Sequence, residues 1–335
     1  MKTTIAAILA SGKGILAADE SFPTLEKRFK ALNISSTEEN RRAYREMLFA
    51  TPEVSEFISG VILFDETIRQ RTTTGVPMPE FLTKLGIIPG IKVDKGAVAL
   101  ANFGGEKITQ GLDDLRERLI EYRELGARFT KWRAVIAIGE RIPTSTCMKT
   151  NAAGLALFAA LSQEAGLVPI VEPEILMDGT HNLDRCEEVT RETLECVFDA
   201  LFQHRVALEQ MLLKTNMIVS GDECPEQANP AEVATATLRC LRRAVPASVP
   251  GVVFLSGGQS DEAATLRLNA ICAARAPFWK LTFSFGRALQ APALNIWKGL
   301  SINIPAAQKT LHHRAQCNSL ALQGRYSADS ENATH

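Results

Sequence analysis

Residues 112–137 read LDDLRERLIEYRELGARFTKWRAVIA. The first half spaces apolar side chains at Leu112, Leu115, Leu119, Ile120 and Leu125, the one-sided pattern of an amphipathic helix. The second half is a short apolar run interrupted by Lys131 and Arg133, as in a buried strand that carries charge at one end. Working outward, seven further runs share that character: GILAADES, SGVILFDET, GIIPGIKVDKG, VPIVEPEI, EQMLLKTNM, GVVFLSGGQS and WKLTFSFGR. Helix-like segments such as AGLALFAALSQEAG and AEVATATLRCLRRAV lie between most of them. Strand ends recur at intervals of roughly 25–45 residues, the length of a strand–helix unit. Eight such units predict a (β/α)8 barrel, an α/β fold in a single domain. A doubly wound open sheet is the alternative, but it usually carries a glycine-rich phosphate turn after its first strand, and no GxGxxG occurs.

No Pro/Ser-rich linker or low-complexity block divides the chain. Residues 1–318 are read as the barrel domain and residues 319–335 as a C-terminal tail, whose last dozen residues, GRYSADSENATH, are polar, aperiodic and expected to be mobile. The opening MKTTIAAILASG has an apolar run, Ile5–Ala10, shorter than the about 7–15 residues of a signal-peptide core. It is read as a first amphipathic helix leading into a strand. No apolar segment approaches the roughly 20 residues that span a bilayer, so no membrane partner is expected.

The 335 residues are 46% hydrophobic and carry a net charge of −1, which leaves no basic excess to attract nucleic acid. An anionic ligand must therefore be held by a local cationic site. The seven cysteines are odd in number and form no CxxC, as in a reduced, intracellular chain. The five histidines form no HxxxH or HExxH, so a histidine-rich metal site is not expected.

In barrels of this kind chemistry gathers at the C-terminal ends of the strands. Polar residues stand there on strand after strand: Asp19 and Glu20; Lys92, Asp94 and Lys95; Lys131 and Arg133; Glu172 and Glu174; Lys214; Ser256, Gly257 and Gly258; Ser284, Gly286 and Arg287. Residues two apart share a face, so Lys131 pairs with Arg133 and Glu172 with Glu174. Any one of these charges could be an ordinary buried ion pair or a strand cap. Recurrence on six strands argues for one polar cavity. Its cations, Lys92, Lys131, Lys214, Arg133 and Arg287, are expected to outnumber the inward carboxylates, as an anionic substrate requires. LSGGQS and SFGR suit phosphate, because glycine exposes backbone N–H groups and Arg287 offers a fork-shaped counter-charge. Lys92 with Lys27 and Arg28 would serve a second phosphate, although Lys27 and Arg28 also fit a solvated helix face. LSGGQ by itself matches the signature of ATP-binding cassette proteins, but no P-loop GxxxxGK[ST] is present.

Lys214 lies within an apolar run, where desolvation of an ammonium is costly. Either it marks a strand end and reaches outward to water, or it points inward near Lys131. There, burial and a like charge would favour the free amine, a nucleophile for a carbonyl. Glu172 or Glu174 could then serve as acid/base and Asp19 could take a proton from a substrate hydroxyl. These parts fit Schiff-base aldol chemistry.

The ordered motifs GKGILAADES, ENRRAYRE, GVILFDET, GIKVDKG, FTKWRAVI, IVEPEIL, LLKTNMIVSG, FLSGGQS, LTFSFGRALQ and NSLALQG resemble the class I fructose-bisphosphate aldolases over nearly the whole chain. The resemblance implies a homotetrameric (β/α)8 barrel with no metal and no cofactor. It implies cleavage of a sugar phosphate, fructose 1,6-bisphosphate, to dihydroxyacetone phosphate and glyceraldehyde 3-phosphate in glycolysis or gluconeogenesis. It implies a cytoplasmic place, or an organelle stroma. Lys214 matches the family's Schiff-base lysine, Glu172 its principal acid/base, Glu174 the assisting glutamate, Asp19 the aspartate acting on the C4 hydroxyl, and Lys131 the lysine beside it. Arg133 matches a substrate contact. Ser256, Gly257, Gly286 and Arg287 match the C1-phosphate site, and Lys92, Arg28 and Arg41 positions near the other phosphate. The chain departs from the family pattern at Thr215, where proline is usual, at Met177, and at Phe22–Pro23. Its last tyrosine is Tyr326, whereas many members end in a tyrosine-terminated tail.

Overall fold

The computed structural model describes residues 1–274 and 278–332. Eight parallel strands close into a barrel: β1 (Gly14–Ala17), β2 (Ile58–Leu63), β3 (Ile88–Lys92), β6 (Phe129–Ile136), β7 (Val168–Ile175), β8 (Leu212–Thr215), β9 (Gly251–Phe254) and β10 (Lys280–Phe285). The order around the barrel follows the chain, with β10 closing on β1. Two short strands, β4 (Ala97–Ala99) and β5 (Lys107–Thr109), form an antiparallel hairpin outside it. All eight strands expected from the sequence are present, so the doubly wound alternative is set aside.

Helices cover the outside. In chain order they are α1 (Lys2–Ile8), α2 (Phe22–Lys30), α3 (Glu38–Phe49), α4 (Asp65–Arg69), α5 (Met78–Lys84), α6 (Leu115–Glu124) and α7 (Ser145–Glu164). They continue with α8 (Leu183–Gln203), α9 (Pro230–Ala244), α10 (Asp261–Ala273), α11 (Arg287–Trp297), α12 (Ile304–Leu322) and α13 (Ala328–Asn332). The α6 stripe is narrower than its spacing suggests: Leu115, Leu119 and Tyr122 are buried, while Ile120 faces water.

The barrel interior has two storeys. The lower is apolar: Ile15, Ala17, Ile62, Phe129, Val168, Ile170, Leu212 and Val253 meet there, and Ile5 and Ile8 of α1 join them. The expected amphipathic N-terminal helix thus packs against the floor. Glycine makes room for the large rings: a Cβ on Gly90 would lie 2.2 Å from the Phe129 ring, and one on Gly14 would lie 2.4 Å from Phe283. Alternation along the strands then lifts the next inward residues, Lys131 above Phe129, Glu172 above Ile170 and Lys214 above Leu212, into an upper storey at the C-terminal ends. The pleat that builds the dry floor therefore also stacks the charged groups over it.

The C-terminal segment departs from the expectation of a tail beginning at residue 319. Helix α12 continues to Leu322, Tyr326 is buried, and α13 returns so that Glu331 accepts from Tyr326 Oη at 2.5 Å and from Arg314 Nη1 at 2.6 Å. Composition alone did not show that tie. Residues 333–335 of the expected tail lie outside the described residues. All seven cysteines are free, and among the described residues no helix is long and apolar enough to cross a membrane.

Candidate active site

The upper storey is a chain of ion pairs. Lys131 Nζ lies 2.5 Å from Asp19 Oδ2, 3.4 Å from Glu172 Oε2 and 4.0 Å from Asp94 Oδ2. Lys214 Nζ lies 2.9 Å from Glu172 Oε1, with side-chain exposures of 5% and 3%. Lys214 therefore points inward, and Glu172 stands between two buried ammonium groups. Lys92 Nζ lies 2.6 Å from Asp94 Oδ1. The Arg133 guanidinium donates to Glu174 Oε2, half in solvent.

Charge and burial oppose one another here. Burial works against the Asp19 carboxylate, but Lys131, then Lys214, outweigh it and hold its pKa well below the ordinary 3.8. Burial likewise works against charged Glu172, and Lys214, Lys131 and Arg133 outweigh it, keeping the carboxyl below its usual range. Burial also disfavours the Lys131 ammonium, yet Asp19, Glu172 and Asp94 push its pKa above the ordinary 10.5. Lys131 is thus a fixed cation facing two depressed carboxyls.

Reading cations against carboxylates from the sequence predicted a surplus of positive charge. The structure narrows it. Lys92, Lys131, Lys214 and Arg133 each face Asp19, Asp94, Glu172 or Glu174, which leaves Arg287 as the cation of that set without a carboxylate partner among the described residues. Arg287 is exposed, and its Nη2 donates to Gly257 O at 3.2 Å. That bond joins the loop after β9 to the start of α11. Gly286 caps that helix and Gly257 is turned to φ +54°, so helix-end N–H groups and a guanidinium flank one spot beside Ser256. Such a place favours an anion. On β10, Ser284 is buried and its hydroxyl has no hydrogen-bond partner.

The residues expected at a second phosphate are more occupied. Arg28 donates to Glu20 Oε1 at 2.6 Å, while Glu20 Oε2 accepts from buried Arg45 at 2.9 Å. Arg41 makes a two-point pair with Glu66, at 2.8 and 2.6 Å, and sits 4.7 Å over the Phe22 ring. Phe22 in turn packs edge-on to Phe64 at 5.1 Å.

Asp94, which the sequence marks only as one of the strand-end charges, and Asn216, which it does not mark, organise the site. Asp94 pairs with Lys92, accepts from Gly96 N–H at 3.1 Å and from Arg133 N–H at 3.2 Å, so it ties β3 to β6. Its position two residues beyond Lys92 was the available signal. Asn216 Oδ1 accepts from Ile175 N–H at 3.1 Å, and its Nδ2 donates to Thr190 Oγ1 and Met217 O, each at 3.2 Å. Nothing in the local sequence marks Asn216. Its neighbour Thr215 ends β8 fully buried, with its hydroxyl 3.5 Å from Asn216 Oδ1.

Comparison with known proteins shows the family of the chain. A sequence profile described as fructose-bisphosphate aldolase class-I matches residues 1–335. The chain belongs to the class-I fructose-bisphosphate aldolase family. It is 54% identical over 324 residues to a probable fructose-bisphosphate aldolase class 1 of Xanthomonas axonopodis pv. citri, covering 96% of this chain and 97% of that one. It is 51% identical over 321 residues to fructose-bisphosphate aldolase B of Gallus gallus, covering 95% and 88%. A solved fructose-bisphosphate aldolase from Plasmodium falciparum, in complex with TRAP and a small-molecule inhibitor, superposes with a TM-score of 0.96 at 50% identity, over 98% of this chain and 95% of that one.

Proposed function

We propose that this aldolase cleaves fructose 1,6-bisphosphate reversibly to dihydroxyacetone phosphate and glyceraldehyde 3-phosphate through a Schiff base on Lys214. The observation that carries the reading is the 2.9 Å contact between Lys214 Nζ and Glu172 Oε1 above a dry floor. Transfer of one proton along that contact makes a neutral amine and a carboxylic acid, the two partners that carbonyl condensation needs. The amine adds to the substrate ketone, Glu172 gives its proton to the departing hydroxyl, and water leaves with formation of the iminium. Asp19, kept anionic by Lys131, takes the proton of the C4 hydroxyl. The C3–C4 bond then breaks, its electrons passing to the iminium nitrogen as the enamine forms and the aldehyde departs. Protonation of the enamine and hydrolysis return Lys214. The nitrogen is the electron sink throughout, so the reading assigns no metal or cofactor to the chemistry.

The Arg287–Gly257–Ser256–Gly286 spot is assigned the C1 phosphate, with Glu174 and Arg133 beside the reacting carbons. Arg28 and Lys92 are assigned the far phosphate and Arg41 its support. A homotetramer serving glycolysis or gluconeogenesis in the cytoplasm completes the reading, and its support is the family alone. The deciding experiment is borohydride reduction with dihydroxyacetone phosphate followed by peptide mass spectrometry: a stable adduct on Lys214 is expected, and an active enzyme unmodified there would refute the assignment. One observation favours a second reading, a preference for fructose 1-phosphate, because Arg28, Lys92 and Arg41 already face carboxylates. Rates of cleavage of the two sugars distinguish them.

A further inference from the structure

Away from the barrel mouth, α12 presents His313 and Cys317 one helical turn apart, and the returning chain brings Glu331 of α13 to meet them. His313 Nε2 lies 3.6 Å from Cys317 Sγ and 3.6 Å from Glu331 Oε2. The three donor atoms all lie within 4.8 Å of one another. None of these residues has a part in the proposed cleavage.

The two separations made by His313 match a metal's requirements. Zinc binds sulfur at about 2.3 Å, imidazole nitrogen at about 2.05 Å and carboxylate oxygen at about 2.1 Å, in a tetrahedron. At tetrahedral angles the sulfur–nitrogen edge is about 3.6 Å and the nitrogen–oxygen edge about 3.4 Å. Both observed edges fall within about 0.2 Å of these values. We propose that His313, Cys317 and Glu331 bind a zinc-class divalent cation that clamps the C-terminal helical turn onto α12.

The surroundings fit this assignment. Glu331 Oε1 is held by Tyr326 Oη at 2.5 Å and Arg314 Nη1 at 2.6 Å, while Oε2 accepts from Arg314 and also faces His313. Ligating carboxylates are commonly oriented by such outer partners. Charge also closes. Binding releases the thiol proton to solvent, so thiolate, Glu331 and the nearby Asp261 carry three negative charges against the cation and Arg314, whose Nε lies 3.8 Å from Asp261 Oδ2. Thiolate with imidazole selects zinc over magnesium or calcium. Three protein ligands leave a fourth position for water.

The test uses the full chain, stripped with chelator and dialysed against zinc chloride. One zinc per chain is expected, with His313→Gln and Cys317→Ser each weakening retention at least tenfold. Cobalt(II) should give a thiolate-to-metal charge-transfer band that Cys317→Ser abolishes. Zinc should also slow tryptic cleavage after exposed Arg325 in the wild type but not in His313→Gln. His313 is only half-buried, so this variant keeps the test decisive if Cys317→Ser misfolds. Absence of bound zinc, retention undiminished in both variants, or a cobalt spectrum without the sulfur band would each overturn the site.

Discussion

Glu172 is one carboxylate shared by two ammonium groups, and removal of each partner has a different expected result. Lys214→Met removes the proposed nucleophile, so turnover should fall by at least about 10³-fold, with borohydride trapping abolished. Lys131→Met leaves Asp19 and Glu172 buried without their fixed cation, which should cost about 3–5 kcal/mol of stability in denaturant titration. It should also move activity along the pH axis. The carboxyls of Asp19 and Glu172 lie below their ordinary values of 3.8 and 4.5 in the folded chain. The stability they contribute is therefore fully present above about pH 4.5 and declines as pH falls toward their depressed values. Without Lys131 both pKa values rise, so the acid limb of the kcat/KM profile should shift upward; an unmoved limb would separate Lys131 from Asp19. If Arg287 holds the proposed C1 phosphate, Arg287→Gln should raise KM roughly 10–100-fold with a smaller effect on kcat, since that charged hydrogen bond would be made in ground and transition states alike.

Between β7 and β8 the ladder pairs only Ile170 with Leu212 and Val171 with Leu213. Main-chain pairing stops one residue below Glu172 and Lys214. Above that point Asn216 joins the two segments through the Ile175 N–H. Asn216→Ala should cost about 1–3 kcal/mol for the unsatisfied buried N–H and lower kcat more than it raises KM, because the glutamate strand loses its hold on the lysine strand. A change in KM alone would contradict that positioning role. This element also shows how far sequence carries. That Lys131 and Arg133, or Glu172 and Glu174, share a face was legible from the two-residue period, whereas the inward turn of Lys214 was one of two readings that an apolar run leaves open. The Asn216 link was not legible, because an asparagine after a strand looks the same whether or not an N–H from another strand meets it. The trio proposed to bind metal was not legible for a related reason: the pair on α12 is His313 with Cys317, not two histidines, and Glu331 arrives from a segment that composition describes only as polar.

At the scale of the whole molecule, eight strand–helix units at regular spacing, with no glycine-rich dinucleotide turn, were enough to imply the closed barrel. Assembly was not legible in the same way, because it depends on outward faces. Phe202, at the end of α8, is 80% exposed beside a shallow cavity of about 490 Å³ lined also by Arg205, Val206 and Leu208. Light scattering should return about four times the 36.5 kDa chain mass, and Phe202→Glu should lower it if this rim joins chains. A four-chain mass unchanged in the variant would place the contact elsewhere.

The short ladder between β7 and β8 has a mechanical consequence. If Lys214 forms the proposed imine, it must flatten its nitrogen and swing its tether as the substrate is cut, and a wall zipped to the top would resist that motion. Here the seam is stitched below the Lys214 nitrogen and buttoned above it by one side chain, leaving slack at the height where the proposed bond would change shape. The wall between β7 and β8 is held below and above the Lys214 nitrogen, not through it.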